Sequence, residues 1–149
     1  GGVISGQRRD LVPVLRLVLA DLVDGSEGWE ISLPDSLPSY LDRDACGMVL
    51  RNLVENAKKH GDPSAPISVV VTADGVISVT NGGAVIAPET LAQLTERFER
   101  GGAPTEGSGL GLAIVAAVTQ SAGVGFTLLS PAPDRADGFC ARVDLRPLM

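Results

Sequence analysis

Gly107-Ser108-Gly109-Leu110-Gly111-Leu112 runs directly into the apolar segment Ala113 to Val118. Glycine at every second position lets the backbone take up geometry that β-carbons would block. The run feeds the start of a helix, where unpaired N–H groups and the positive end of the helix dipole favour phosphate. It lacks the lysine that closes a P-loop. It also does not follow the first strand of a βαβ unit, which argues against a dinucleotide fold. A flexible linker that happens to precede a helix would have the same composition.

Upstream lies a second unusual run, Asn52-Leu53-Val54-Glu55-Asn56-Ala57-Lys58-Lys59-His60. It belongs to a helix capped by Asp42 or Asp44 and ended by Gly61-Asp62-Pro63. Its core face reads as Ala45, Met48, Val49, Leu53 and Ala57. Asn52, Asn56 and Lys59 fall at i, i+4, i+7 and share a second stripe. An amide carbonyl is a hard oxygen ligand suited to Mg²⁺, which takes most of its remaining ligands from water and phosphate. A lysine one turn on supplies a point charge for the same phosphates. The alternative is a solvated helix face, although asparagine is a mediocre helix former to place there twice. Together the two runs suggest a nucleotide and its metal held between two helices.

The remaining elements follow from periodicity and punctuation. Leu11 to Leu22 is apolar at Leu11, Val14, Leu15, Val18, Leu19 and Leu22, the pattern of an amphipathic helix with Pro13 in its first turn. Trp29 to Leu33 reads as a short strand, and Pro34 to Pro38 as a connector. Ile67 to Thr72 and Val76 to Thr80 are β-branched runs around Ala73-Asp74-Gly75, a hairpin signal. Pro88 to Phe98 resembles a short helix, Gly101 to Gly109 a small-residue loop, and Leu110 to Ala122 a helix ended by Gly123. Val124 to Leu129 and Phe139 to Leu145 form a closing hairpin. The order α-β-α-β-β-α-α-β-β has more hairpins than crossovers. An α+β two-layer sandwich is expected, one mixed and mostly antiparallel sheet with helices on one face, as a single domain over residues 1–149.

The 149 residues suffice to bury a core, and 44% of them are apolar. With a formal net charge of −6 and no basic patch, nucleic acid is excluded as a partner. The longest apolar stretch falls short of the ~20 residues that cross a bilayer, and the first residues lack the order of a signal peptide. Cys46 and Cys140 stand alone, far from any CxxC, and read as buried, reduced thiols.

At this point the chain resembles a known family. Leu50 to His60 is similar to the asparagine box of sensor histidine kinases. Glu96-Arg97-Phe98-Glu99-Arg100-Gly101 is similar to their phenylalanine box, and Gly107 to Leu112 to their second glycine box. Order and spacing match the catalytic, ATP-binding domain of that family, within the GHKL superfamily. The resemblance implies ATP and Mg²⁺ as cofactors and a catalytic group of Asn52, Asn56 and Lys59, with Asn56 on the metal. Lys59, His60 and Arg100 would approach the phosphates. Gly107, Ser108, Gly109, Leu110 and Gly111 would supply the phosphate-binding turn, with Gly101 to Glu106 as a short lid.

One box departs from the pattern. The family usually shows Asp-x-Gly-x-Gly where this chain has Asn81-Gly82-Gly83-Ala84-Val85. Asn81 therefore stands at the place of the adenine-binding aspartate, Gly83 keeps the first glycine, and Val85 replaces the second. An amide oxygen still accepts from adenine's exocyclic amine, without the strength of a charge-assisted bond. An aspartate there is expected to hold ATP more tightly. ATP-hydrolysing relatives such as gyrase carry a glutamate four residues before the metal asparagine, where Asn52 cannot take a proton. Glu55 faces about a quarter-turn away from Asn56. Phosphoryl transfer to a partner is thereby favoured over hydrolysis.

The only histidine, His60, lies inside the asparagine box, so the phosphoacceptor belongs to another segment. The apolar stretch from Asp10 looks like the link that follows a dimerisation domain. The expected function is donation of the γ-phosphate to a histidine on the dimerisation domain of the same kinase, with a response regulator as indirect partner. The chain would be the cytoplasmic part of an inner-membrane-anchored sensor, without direct membrane contact. The alternative is a degenerate protein-interaction module of the same fold with weak or no nucleotide binding.

Overall fold

The computed structural model describes residues 2–23, 28–99 and 110–149, without the side chains of 97–99 and 110. Strand β1 (Ile4–Asp10) leads into helix α1 (Val12–Leu22), followed by β2 (Glu30–Ser32), β3 (Pro38–Leu41) and the long helix α2 (Arg43–His60). A hairpin of β4 (Ser68–Val71) and β5 (Val76–Asn81) precedes helices α3 (Pro88–Glu99) and α4 (Leu110–Ala122). The closing hairpin is β6 (Gly125–Leu129) and β7 (Phe139–Asp144), and a 3-10 turn spans Arg146–Leu148.

Five strands form one sheet in the order β2-β4-β5-β7-β6. The β2–β4 pair is parallel and the others antiparallel, so the sheet is mixed and mostly antiparallel as expected. Alternation decides which face is inward. Val69, Val71, Ile77, Val79, Ala141 and Val143 are buried and join one core with α1, α2 and α4. Ser78 and Arg142 stand on the other face, joined by a hydrogen bond from Arg142 Nε to Ser78 Oγ at 3.2 Å.

The structure corrects the expected architecture in one respect, because a second, two-stranded sheet pairs β1 with β3. Ser5 to Arg9 carries no apolar alternation, and Pro38 punctuates β3, so neither strand announces itself. The ribbon is tied in by its ends. Asp10 Oδ1 accepts from Val12 N–H at 3.0 Å and Leu37 N–H at 2.8 Å. Ser39 Oγ–H donates to Leu148 C=O at 3.0 Å. In the stretch from Asp10, Leu11, just before α1, and Leu15 within it are fully buried.

Helix α2 runs through the middle of the core and carries the site. Its N-terminus is capped by Asp42, whose Oδ2 accepts from Ala45 N–H at 3.0 Å. Ala45, Cys46, Val49, Leu50, Leu53, Val54 and Ala57 are its buried face. Met48 is not on it. At 47% exposure, Met48 shares the stripe of Asn52 and Asn56 instead, one turn before Asn52.

Candidate functional site

The C-terminal half of α2, the end of β5, the β5–α3 connection and the first turns of α3 and α4 enclose a cleft of about 380 Å³. Asn56, His60, Asn81 and Gly83 line it, together with Gly82, Ala84, Ile86, Thr90, Leu94, Leu112 and Phe139. Polar groups thus sit at the end formed by α2 and β5, and apolar side chains from α3, α4 and β7 form the other wall.

Glycine makes the junction between α2 and β5 close. A β-carbon at position 61 would lie 2.7 Å from Asn81 Cβ and 2.6 Å from Ala57 C=O, so no larger residue lets the helix end reach the strand end. Asp62 N–H then donates to Gly82 C=O at 3.2 Å. The Asp62 carboxyl, which accepts from both N–H and Oγ–H of Ser64, is held below the usual carboxylate range by those bonds. Gly83 has φ +120°, a backbone angle that side chains disfavour. The β6–β7 connection closes the far side: Gly138 N–H donates to Gly83 C=O at 2.9 Å, and Ile86 N–H to Ser130 Oγ at 2.9 Å. Val85, standing where the second glycine is usual, is 44% exposed. Its neighbours Ala84 and Ile86 face the cleft in its stead.

The two glycine- and asparagine-containing runs meet directly. Gly111, in the first turn of α4, rests against Asn52, whose Oδ1 would stand 3.2 Å from a β-carbon at 111. Asn52 Nδ2 donates back to Met48 C=O at 2.8 Å, which aims Oδ1 toward α4. Glu55 is turned to solvent, with Arg51 Nη1 at 3.7 Å. Lys59 is exposed and does not line the cleft. Leu110 begins α4, while Arg100, Gly107, Ser108 and Gly109 lie outside the described residues.

Asn81 is the most enclosed of the polar groups, at 5% exposure. Its Nδ2 donates to Gly82 C=O at 2.8 Å. Sequence reasoning did not find Thr90, Leu94, Leu112 or Phe139 as cleft residues. The only signal for them was their place on apolar helix stripes or on an inward strand face, which marks core in general and not a cleft in particular.

The model for "Histidine kinase-, DNA gyrase B-, and HSP90-like ATPase" matches residues 41–147, most of the chain. The chain belongs to this ATPase family. Among curated relatives, the sensor protein QseC of Escherichia coli strain K12 is 37% identical over 78 residues, covering 52% of this chain and 17% of that protein. A bacteriophytochrome of Pseudomonas aeruginosa is 33% identical over 99 residues, covering 62% of this chain and 14% of its own length. The chain thus spans a small part of these relatives. Among solved structures, the mycobacterial sensor histidine kinase MprB superposes with a TM-score of 0.74 at 23% identity, covering 93% of this chain and 95% of that one. The nucleotide-free catalytic domain of histidine kinase ThkA gives 0.71 at 21%, covering 93% of each chain. At these identities the likeness is one of fold, and the fold is that of histidine kinase catalytic domains. No described helix of this family member is long and apolar enough to cross a membrane.

Proposed function

We propose that this chain binds Mg-ATP and donates the γ-phosphate to a histidine on the dimerisation domain of its own sensor kinase. The observation that carries this is the single cleft into which α2 and β5 present Asn56, His60, Asn81 and Gly83, with the first turn of α4 seated on Asn52. In this reading the base lies against the apolar wall beside Asn81. The phosphates lie toward α2 and the N-terminus of α4, where a helix start favours an anion, and the family resemblance gives Gly107, Ser108 and Gly109, outside the described residues, the same part as Leu110 and Gly111.

The donor set suits magnesium. Among the described residues no group of three or more His, Cys, Asp or Glu is gathered for a metal, so a cation held by protein carboxylates or thiolates has no site there. Asn56 offers one hard amide oxygen at the cleft, the mode of a metal that takes its other ligands from phosphate and water. Magnesium bound there would neutralise charge building on the transferring phosphoryl group. Asn52 orients Asn56's side of the helix against α4. Lys59, three residues beyond Asn56, adds positive charge near the phosphates, a part that the family resemblance also gives to Arg100, outside the described residues.

Among the described residues no carboxylate lines the cleft as a general base for water: position 52 is an amide, and Glu55 faces solvent beside Arg51. Transfer to a positioned acceptor is therefore favoured over hydrolysis. The acceptor domain, the response regulator behind it and an inner-membrane anchor belong to the longer protein that this reading implies.

Titration of the chain with Mg-ATP by calorimetry, alongside a phosphate-release assay, tests this. Saturable binding with little phosphate release is the expected result. Absence of binding at millimolar nucleotide would instead favour an interaction module of the same fold, and rapid phosphate release a hydrolase.

A further inference from the structure

We infer that Ser130 is a positioning residue for the nucleobase: its hydroxyl holds the β5–α3 connection in place as one wall of the cleft. This deepens the nucleotide-binding reading above and depends on it. Ser130 lies outside all the sequence motifs that led to that reading.

Residues 82–87 belong to neither strand nor helix, so no ladder or helical repeat sets their course. Yet Gly82, Gly83, Ala84 and Ile86 line the cleft. The β6–β7 connection fixes them instead. Gly138 N–H donates to Gly83 C=O at 2.9 Å, and Ile86 N–H donates to Ser130 Oγ at 2.9 Å. Ser130 closes the ring, because its own Oγ–H donates to Gly138 C=O at 2.6 Å. One hydroxyl thus anchors the wall at Ile86 and also steadies the residue that anchors it at Gly83. The hydroxyl has a single proton to donate, and Gly138 takes it. The connection is already packed against the end of β5: a β-carbon at position 138 would lie 2.6 Å from Asn81 C=O.

Alanine at position 130 takes this partner from both Ile86 N–H and Gly138 C=O. Ile86 is half-buried and Gly138 buried, so water replaces the lost bonds poorly. The wall stays attached at Gly83 and gains freedom at Ile86. A base that needs the wall in one place must then order it on binding, and that ordering is subtracted from affinity. In the reading above the phosphates lie at the other end of the cleft, toward α2 and the start of α4. The loss should therefore be the same for nucleotides that share a base and differ in phosphate number.

The test measures binding of Mg-ADP and Mg-ATP to the wild-type chain, Ser130→Ala and Ser130→Thr, at a temperature where circular dichroism shows each folded. Ser130→Ala is expected to bind both nucleotides about fivefold more weakly, the equivalent of one net hydrogen bond. Ser130→Thr keeps the hydroxyl and is expected to stay within about twofold of wild type. A purely structural role would lower the melting temperature of Ser130→Ala and leave the affinity of the folded protein unchanged, and that result overturns the inference. So does a loss seen with ATP and not with ADP, or one that Ser130→Thr shares in full. Amide exchange on the wild-type chain gives a measurement independent of any variant. Nucleotide should slow exchange at Ile86 and also at Gly138, which does not line the cleft. Exchange unchanged at Gly138 overturns the inference and leaves the nucleotide-binding reading intact. Failure of the wild-type chain to bind either nucleotide would overturn that reading, and the inference with it.

Discussion

Asn52 and Gly111 touch, and the contact depends on glycine: a β-carbon at 111 would lie 3.2 Å from Asn52 Oδ1 and 3.4 Å from Asn52 C=O. Asn52 and Gly111 stand 59 positions apart in the chain, and this contact brings together the two stretches that each suggested a phosphate site. The first turn of α4 is laid on the polar stripe of α2, with Gly111 beside Asn52 and Leu112 reaching the cleft that Asn56 lines.

Gly111→Ala should separate stability from binding. Alanine in place of glycine favours a helix by about 1 kcal/mol. Against that, Asn52 is tied to Met48 C=O and must shift by a few tenths of an ångström. Melting is expected to change little while the affinity for Mg-ATP falls several-fold. Calorimetry beside a melting curve checks both, and undiminished affinity would mean that the contact does not serve the nucleotide.

Asn56→Ala should leave the fold intact, because the position is a half-buried helix site where alanine is the better helix former. The magnesium dependence of ATP binding is expected to disappear. Binding measured with and without Mg²⁺ decides the matter. A variant whose affinity still rises with the metal would place the metal elsewhere.

Much of this fold could be read along the chain because its elements carry strong periodic patterns. The β4–β5 hairpin is β-branched on both sides of Ala73-Asp74-Gly75, and α4 ends before a glycine. What could not be read depends on distance. Ser5-Gly6-Gln7-Arg8-Arg9 has no apolar face to show that it is a strand, and β1 finds its partner in β3, with its last residue Asp10 accepting from Leu37 N–H. Met48 looked like core by residue type, yet its arc on α2 is that of Asn52. The asparagines and Gly83 stood out because amides on a helix and glycine pairs after a strand are locally unusual. The apolar wall and the 130–138 connection behind Ile86 did not, since their roles exist only once β7 lies beside β5.

Cys46 predicts an alkaline limb to stability. Burial in α2 pushes its thiol up from 9.0 to about 12. The folded state keeps the proton longer than the unfolded chain, so this contribution is fully present below about pH 9 and is lost as pH rises toward 12. Melting temperature followed from pH 8 upward should fall more steeply for the wild-type chain than for Cys46→Ala. Thiol reagents near neutral pH should leave both buried cysteines of the folded chain unmodified. Parallel pH curves for the two proteins would show that Cys46 does not set the slope.

Incubated alone with Mg-ATP, the chain should not label itself. Phosphoryl transfer draws its rate from positioning and electrostatics, with the attacking nitrogen in line with the leaving oxygen. The only histidine is His60, and it is part of the wall of the cleft, at the same end of α2 as Asn56. In the proposed reading His60 flanks the phosphates from the side and is badly placed to attack the terminal one along its axis. A dimerisation domain carrying an acceptor histidine, added in trans, should therefore become labelled slowly while this chain does not. The rate should rise when the two are joined, because tethering replaces a second-order encounter with a local concentration in the millimolar range, as short flexible linkers give. Radiolabel followed by mass spectrometry of the modified peptide locates the phosphate. Phosphate on His60 would mean that the cleft positions its own wall residue for attack, contrary to the proposed function.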